Sequence, residues 1–242
     1  MRTIRFDILS IFPGMFDSPF CESILKRAQE SGIVEIRTHD LRDYTLDKHK
    51  RVDDTPFGGG VGMVMNIEPI DRALEAVKKD RPKAHTILLS PGGYPFDQKK
   101  AWELSRKEEI ILVCGRYEGV DERVTEMVDE QLSIGDYVLN GGEVAAMVVV
   151  EAVARLVPGV VGDEQSLEEE SFASEMLEYP QYTRPRDYKG NVVPEVLISG
   201  DHKKIEEWKR QAALEKTEKY RPDLIKKSKR TVPKQSVEHG TD

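Results

Sequence analysis

Three short apolar runs in this chain each end in a cluster of glycines, and that repeated grammar narrows the folds open to it. His85 to Ser90 leads into Pro91-Gly92-Gly93, and Ile110 to Cys114 leads into Gly115-Arg116-Tyr117-Glu118-Gly119. Ile134 to Gly142 then sets a glycine-rich turn ahead of a strongly helical stretch beginning at Glu143. In open α/β sheets ligands sit beyond the carboxyl ends of the strands, where glycine lets main-chain groups approach closely. Glycine after a strand is also ordinary turn chemistry, so one such loop alone says little. Three that converge would form one crevice.

The intervening segments support that architecture. Ile4, Phe6 and Ile8 alternate as a first strand, and Val34 and Ile36 begin a second. Between them Ser18-Pro19 reads as a cap followed by proline at the first helical position, with Phe20, Ile24, Leu25 and Ala28 at helical spacing and Gly32 at the stop. Ile70, Ala73, Leu74 and Val77 mark a further helix, and Asp97 is placed to cap one that contains Ala101 and Trp102. Ala145, Val149, Ala152, Val153 and Leu156 predict a helix over Val144 to Val157, stopped by Pro158-Gly159. Strands that alternate with helices predict an α/β fold with a mostly parallel sheet covered on both faces.

The order of charge suggests more than one module. From Val160 to Pro180 there are seven acidic residues and no Lys or Arg, whereas Gln181 to Lys234 holds 15 basic against eight acidic residues. We therefore expect a catalytic or binding domain over residues 1–160, a linker over 161–180 and a small helical domain over 181–242. Ile205, Trp208 and Ala212 share one helical face there, with Glu206 to Arg210 and Glu215 to Lys219 as charge pairs. The Lys-, Ser- and Pro-rich tail is expected to be disordered. A locally basic face suits a polyanion backbone, although a lysine-rich solvated helix has the same count.

Several chemistries are excluded or left without support. There is no G-x-x-x-x-G-K-[ST] and no G-x-G-x-x-G opening a helix, so a phosphate cradle is not expected. The five histidines show no ligand spacing for zinc, and Ser90 has no G-x-S-x-G around it. Cys21 and Cys114 lie far apart, which fits a reducing compartment. No apolar run reaches the roughly 18 residues that span a bilayer, and no targeting segment precedes the first strand, so a cytoplasmic protein is expected.

Three further features stand out. Cys114 to Arg123 crowds two arginines and three carboxylates after a buried strand, as a site or as a charge network closing the sheet end. Arg155 falls within an otherwise apolar helix, where it snorkels or meets a buried anion. Glu168-Glu169-Glu170 before Ser171-Phe172 crowds carboxylates, which raises a pKa toward general-base range, though a solvated acidic linker is the commoner meaning of such a run.

Taken with Ile4 to Phe16, Asp53 to Met65 and its triple glycine, Leu89-Ser90-Pro91, Ala152 to Gly159 and Tyr182-Thr183-Arg184-Pro185, these strings resemble the bacterial tRNA (guanine-N1)-methyltransferases over nearly the whole chain. The resemblance implies a SPOUT-class methyltransferase with a deep trefoil knot, which periodicity alone does not reveal. It also implies S-adenosylmethionine as cofactor, methylation of the guanosine directly 3′ of the anticodon, dependence on magnesium with ligands unknown, and a homodimer whose active site lies at the subunit interface.

By the same resemblance the cofactor pocket comprises Leu89 and Pro91, then Gly115, Tyr117 and Glu118, then Ile134, Gly135, Asp136, Tyr137, Val138, Leu139, Gly141 and Gly142. Arg155 matches the arginine that stabilises O6, and Glu118 is counted with the catalytic residues. The family's general base is an aspartate before Ser-Phe, a position held here by Glu170, with Glu169 as a second candidate. Arg184, Arg186, Lys203, Lys204, Lys209 and Arg210 are expected phosphate contacts for the anticodon stem-loop. Two rivals remain: another knotted RNA methyltransferase acting on a ribose or a different base, and a non-catalytic RNA-binding module.

Overall fold

A computed structural model of the chain describes residues 2–162, 167, 170–173 and 176–225. They fall into two compact units, Met1–Gly162 and Asp163–Asp242. Glu169 and the tail from residue 226 lie outside the described residues, as does part of the acidic stretch.

The first unit opens with strand β1 (Ile4–Ser10), helix α1 (Asp17–Phe20), helix α2 (Ser23–Glu30) and strand β2 (Val34–Asp40). A small hairpin of β3 (Asp53–Asp54) and β4 (Val64–Met65) leads into α3 (Ile67–Asp80). There follow β5 (His85–Pro95), α4 (Gln98–Ser105), β6 (Glu109–Cys114), β7 (Glu130–Ser133) and α5 (Glu143–Ala154). Five strands form one sheet in the order β2-β1-β6-β5-β7, every neighbouring pair parallel. The parallel α/β architecture expected from the sequence is therefore present.

Side-chain alternation assigns the faces. Leu9, Leu88, Ile111 and Val113 pack with Ile70, Ala73, Leu74 and Val77 of α3, so Phe6, Ile8, Ile87, Ile110 and Leu112 point to the opposite face. There α5 lies on β1 and β6 and packs against α4. Strands buried on both faces must be apolar throughout, which is why β6 reads as an unbroken run. Each fully buried aliphatic side chain contributes about 1.5–3 kcal/mol relative to exposure.

Local capping follows the sequence in some places and not in others. The Asp97 side chain accepts from Lys100 N at 2.9 Å, as expected for a cap. Gly32 adopts φ +72° just past α2, where a left-handed residue is wanted. Ser18-Pro19, however, does not start the long helix. It lies in the one-turn α1, and Ser23 at φ +50° breaks the path at the first residue of α2. Helix α5 also ends three residues earlier than its apolar spacing suggests. Leu156 N and Val157 N turn back to Val153 O and Ala154 O, tightening the last turn from α to 3-10 geometry.

In the second unit a hairpin of β8 (Asp187–Tyr188) and β9 (Asn191–Val192) precedes helix α6 (His202–Tyr220). The hairpin is too short for an alternation signal in the sequence. Asp201 caps α6 through Lys204 N at 3.2 Å. Glu206 pairs with Lys209 at 3.0 Å, one residue short of the Arg210 partner that i, i+4 spacing suggests. The described part of the acidic stretch is fastened to α6: Leu177 N donates to the buried Thr217 Oγ1 at 3.0 Å, and the Arg221 guanidinium covers the Phe172 ring at 5.6 Å. Among the described residues no helix is long and apolar enough to cross a membrane.

Candidate active site

The carboxyl ends of β5, β6 and β7 open into one cavity of about 470 Å³, within the range of small-molecule sites. Strand β5 contributes Leu89, Ser90 and Pro91 to its wall. Its pairing to β7 is interrupted between Leu89 and Tyr94, and of the residues between them Ser90 and Pro91 line the opening. The loop after β6 contributes Gly115, Arg116, Tyr117 and Glu118. The loop after β7 contributes Ile134, Gly135, Tyr137, Val138, Leu139, Gly141 and Gly142. All three glycine-ended runs thus converge.

The two later loops are joined by main chain. Gly142 N donates to Gly115 O at 2.8 Å, and Arg116 and Gly141 form an antiparallel bridge. A Cβ at Gly142 would lie 2.8 Å from Cys114 Cα, so only glycine permits this approach. The loop after β7 is itself tightly folded, with Tyr137 N on Gly135 O at 2.9 Å and Tyr137 Oη donating to Ile134 O at 3.2 Å. Its Asp136 is exposed and does not line the cavity, a departure from the expected set. The turn folds the Tyr137 ring back over Gly135 and leaves Asp136 in solvent.

The charged side chains that line the cavity are Arg116, Glu118 and Glu122. Arg116 is committed inside the protein. Its Nε lies 3.0 Å from Glu143 Oε2, and its guanidinium covers the Phe12 ring at 4.6 Å. Glu143 is only 1% exposed, and its other oxygen accepts from the buried Ser10 Oγ at 2.7 Å. Arg123 is likewise paired, at 2.6 Å from Asp121, whose carboxyl it holds down to about 2. The charge-network reading of Cys114 to Arg123 therefore accounts for both arginines, while the carboxylates Glu118 and Glu122 give the wall a character suited to a cationic ligand.

Tyr117 adopts φ +60°, uncommon for a residue with a side chain. Partial burial, then the neighbouring Asp53 carboxylate, push its phenol pKa up. Beneath the loops Cys114 is wholly buried, and burial followed by the Glu143 charge pushes its thiol well above the usual range.

Of the expected catalytic residues Glu118 lines this cavity, whereas Arg155 of the same unit does not. Arg155 is half-buried at the C-terminal cap of α5, not inside the helix as its spacing suggested. Because α5 runs from Glu143 to Ala154, Arg155 is about 20 Å along the axis from Gly142. Glu170 is half-buried in the second unit, where its carbonyl accepts from Ala173 N at 3.2 Å. Sequence reasoning missed Ser10 and Glu143 as site-building residues. An acid in the first turn of an apolar helix reads as ordinary complementation of the helix dipole, which concealed its role.

The tRNA (guanine-1)-methyltransferase TrmD family model matches residues 4–227. The chain belongs to this family. Among its relatives, a tRNA (guanine-N(1)-)-methyltransferase of Dictyoglomus turgidum is 58% identical over 228 residues, covering 94% of this chain and 92% of the relative. Those of Carboxydothermus hydrogenoformans and Geobacter sulfurreducens are 57% and 55% identical, over 92% and 93% of this chain and 88% and 92% of the relatives. Family membership covers both units of the TrmD-family chain. Among its described residues no group of three or more His, Cys, Asp or Glu is placed to hold a metal ion.

Proposed function

We propose that this chain transfers the methyl group of S-adenosylmethionine to N1 of guanosine 37 of tRNA, directly 3′ of the anticodon. The observation that carries the reading is the cavity at the ends of β5, β6 and β7, walled by glycine main chain and carboxylates, in a chain of the TrmD family. A methyl-bearing sulfonium supplies the electrophile when bound. Main-chain groups of residues 115–118 and 134–142 would grip its polar parts, while Leu89, Val138 and Leu139 cover its apolar surface. Glu118 and Glu122 would face its positive charge. The main-chain stitching of the two loops supports the knotted arrangement that the resemblance implies.

N1 of guanine carries a proton and is a poor nucleophile, so that proton must leave as the new N–C bond forms. Glu170 accepts it in this reading, taking the family aspartate's role with one more methylene to accommodate. Charge then develops on O6, where the Arg155 guanidinium stabilises it. One well-placed donor in a dry site contributes about 2.7–4 kcal/mol.

Arg155 lies about 15 Å along α5 from Ala145, the last residue of that helix in the cavity wall, and an arginine side chain covers only part of that distance. That distance supports a homodimer in which a second copy brings Arg155 and Glu170 to the cavity. Val138, Val144 and Val148 are exposed on the cavity loop and on α5, the kind of surface an interface covers. Arg184, Arg186, Lys203, Lys204, Lys209 and Arg210 would meet tRNA phosphates and so position the stem without reading sequence. A magnesium requirement would rest on the RNA and nearby carboxylates, and no step here depends on one. Action on tRNA is in keeping with the cytoplasmic protein expected from the sequence.

The test is incubation of purified protein with a tRNA transcript and methyl-labelled cofactor, followed by nucleoside mapping. The reading expects label in 1-methylguanosine beside the anticodon. Label on a ribose or another base rejects it.

A further inference from the structure

The cavity has a polar arm that the glycine loops do not build. Gln131 stands opposite Leu88 in the β5–β7 pairing and so shares the sheet face that α3 covers. On that face the 3-10 turn Glu122–Met127 packs on α3, with Val124 buried in the core that holds Leu88. Residues three apart eclipse one another in 3-10 geometry, so Glu122 and Thr125 share one side of the turn. Glu122, Thr125 and Gln131 all line the cavity, together with Leu88 and Val120.

Unlike the nearby arginines, these side chains keep their polar groups free. Arg116 and Arg123 are paired with Glu143 and Asp121, whereas among the described residues neither the Gln131 amide nor the Glu122 carboxylate has a hydrogen-bond or ion-pair partner. Gln131 and Thr125 are half-buried and Glu122 is exposed. An amide drawn partly out of water without a partner is destabilising, so the free Gln131 group calls for a ligand. Thr125 Oγ1 donates its one proton to Glu122 O at 2.7 Å, which leaves its oxygen able only to accept. The arm thus offers one negative charge, one hydroxyl acceptor and one amide whose N–H groups are free to donate.

We propose that Glu122, Thr125 and Gln131 form the subsite for the α-amino-acid end of S-adenosylmethionine, a reading that rests on the cofactor of the proposed function. That end is a zwitterion. Its ammonium needs acceptors, which Glu122 and Thr125 Oγ1 supply, and its carboxylate needs a donor, which the Gln131 amide supplies. The cofactor has two cationic centres and the chain after β6 sets two carboxylates in the cavity wall, Glu118 for the sulfonium and Glu122 for the ammonium. The purine suits this arm less well, because its ring nitrogens are acceptors and a carboxylate set against them repels. Main-chain groups beside Leu89, Val138 and Leu139 match its edge and its apolar faces better. The glycine loops would then hold any adenosine, and the polar arm selects the one that bears an amino acid.

The experiment measures by calorimetry the binding of two nucleosides to the full-length protein: S-adenosylhomocysteine, which carries the amino-acid end, and 5′-methylthioadenosine, which lacks it. Wild-type protein is expected to bind the first more tightly. Gln131→Leu and Glu122→Gln are each expected to weaken S-adenosylhomocysteine by about tenfold, the scale of one hydrogen bond to a charged group, and to leave 5′-methylthioadenosine unchanged. Gln131→Glu sets like charges together and is expected to weaken the first ligand further, again without effect on the second. Retained 5′-methylthioadenosine binding shows that each variant is folded. Equal weakening of both nucleosides, which would put these side chains against the base or the ribose, overturns the proposal, as does weakening of neither or a wild-type protein without the preference. Each of those results leaves the proposed methyl transfer standing. A wild-type protein that binds neither nucleoside overturns the cofactor of the proposed function and this subsite together.

Discussion

Arg116 and Glu143 join the two cavity loops by an ion pair of 3.0 Å, with the carboxylate almost wholly buried and the guanidinium partly so. The pair closes a chain that starts at Ser10 at the end of β1, so three separate strand ends are held by one carboxylate. Removing it leaves a hydroxyl and a guanidinium without their acceptor in a low-dielectric site, which costs more than the pair itself contributes. Glu143→Ala should lower stability by about 3 kcal/mol. Glu143→Gln retains an acceptor but not the charge and should lose about half as much. Urea unfolding of both variants checks the order, and wild-type stability in each would show that the pair holds nothing.

Gly142 offers an independent handle on the same seam. Its φ of -79° suits any residue, so the requirement is purely one of space against Cys114 Cα at 2.8 Å. Gly142→Ala must push main chain against main chain, and such overpacking costs about 1–3 kcal/mol. The displaced loop should also weaken cofactor binding, by calorimetry, more than the loss of stability alone accounts for. An alanine variant with unaltered affinity would mean that this approach does not shape the cavity.

Much of this arrangement was legible in the sequence, for identifiable reasons. The runs around Ile87 and Ile111 are apolar because both sheet faces are covered, and the glycines follow because main chains must meet beyond them. What escaped was carried by single contacts between distant segments. Glu143 and Ser10 are 133 positions apart, and nothing in the spacing of either announces the other. Asp136 was grouped with its neighbours because a loop sequence does not reveal which way each side chain turns. Strand β7 is only four residues long and three of them are polar, too little for a periodic signal.

The two cysteines should behave oppositely toward thiol reagents. Cys21 is exposed and Cys114 wholly buried, with its pKa raised first by desolvation. The thiolate is the reactive form, so Cys114 should remain inert at mildly alkaline pH while Cys21 reacts, and both should react in denaturant. The linkage has a definite sign. Above the unfolded-state thiol pKa, near 8.5, the unfolded chain releases a proton that the folded one retains, so this group's contribution to stability falls as pH rises. Rapid modification of both thiols in the folded protein would contradict the burial.

The separation between the cavity and Arg155 leads to the most demanding prediction. Glu170→Gln should lower single-turnover methyl transfer by about two orders of magnitude, as loss of a general base does, and Arg155→Ala by a similar factor. If a second copy supplies both groups, an isologous dimer has two equivalent composite sites. A variant with a blocked cavity, such as one bearing a bulky residue at Gly142, should be inactive alone, as should the Arg155→Ala, Glu170→Gln double variant. When the two are co-expressed, each mixed dimer pairs the intact cavity of one protomer with the intact Arg155 and Glu170 of the other. Random assortment should therefore restore about a quarter of wild-type activity. Were each cavity served by its own protomer's Arg155 and Glu170, no mixture of these variants would regain turnover, and the intersubunit assignment would fall.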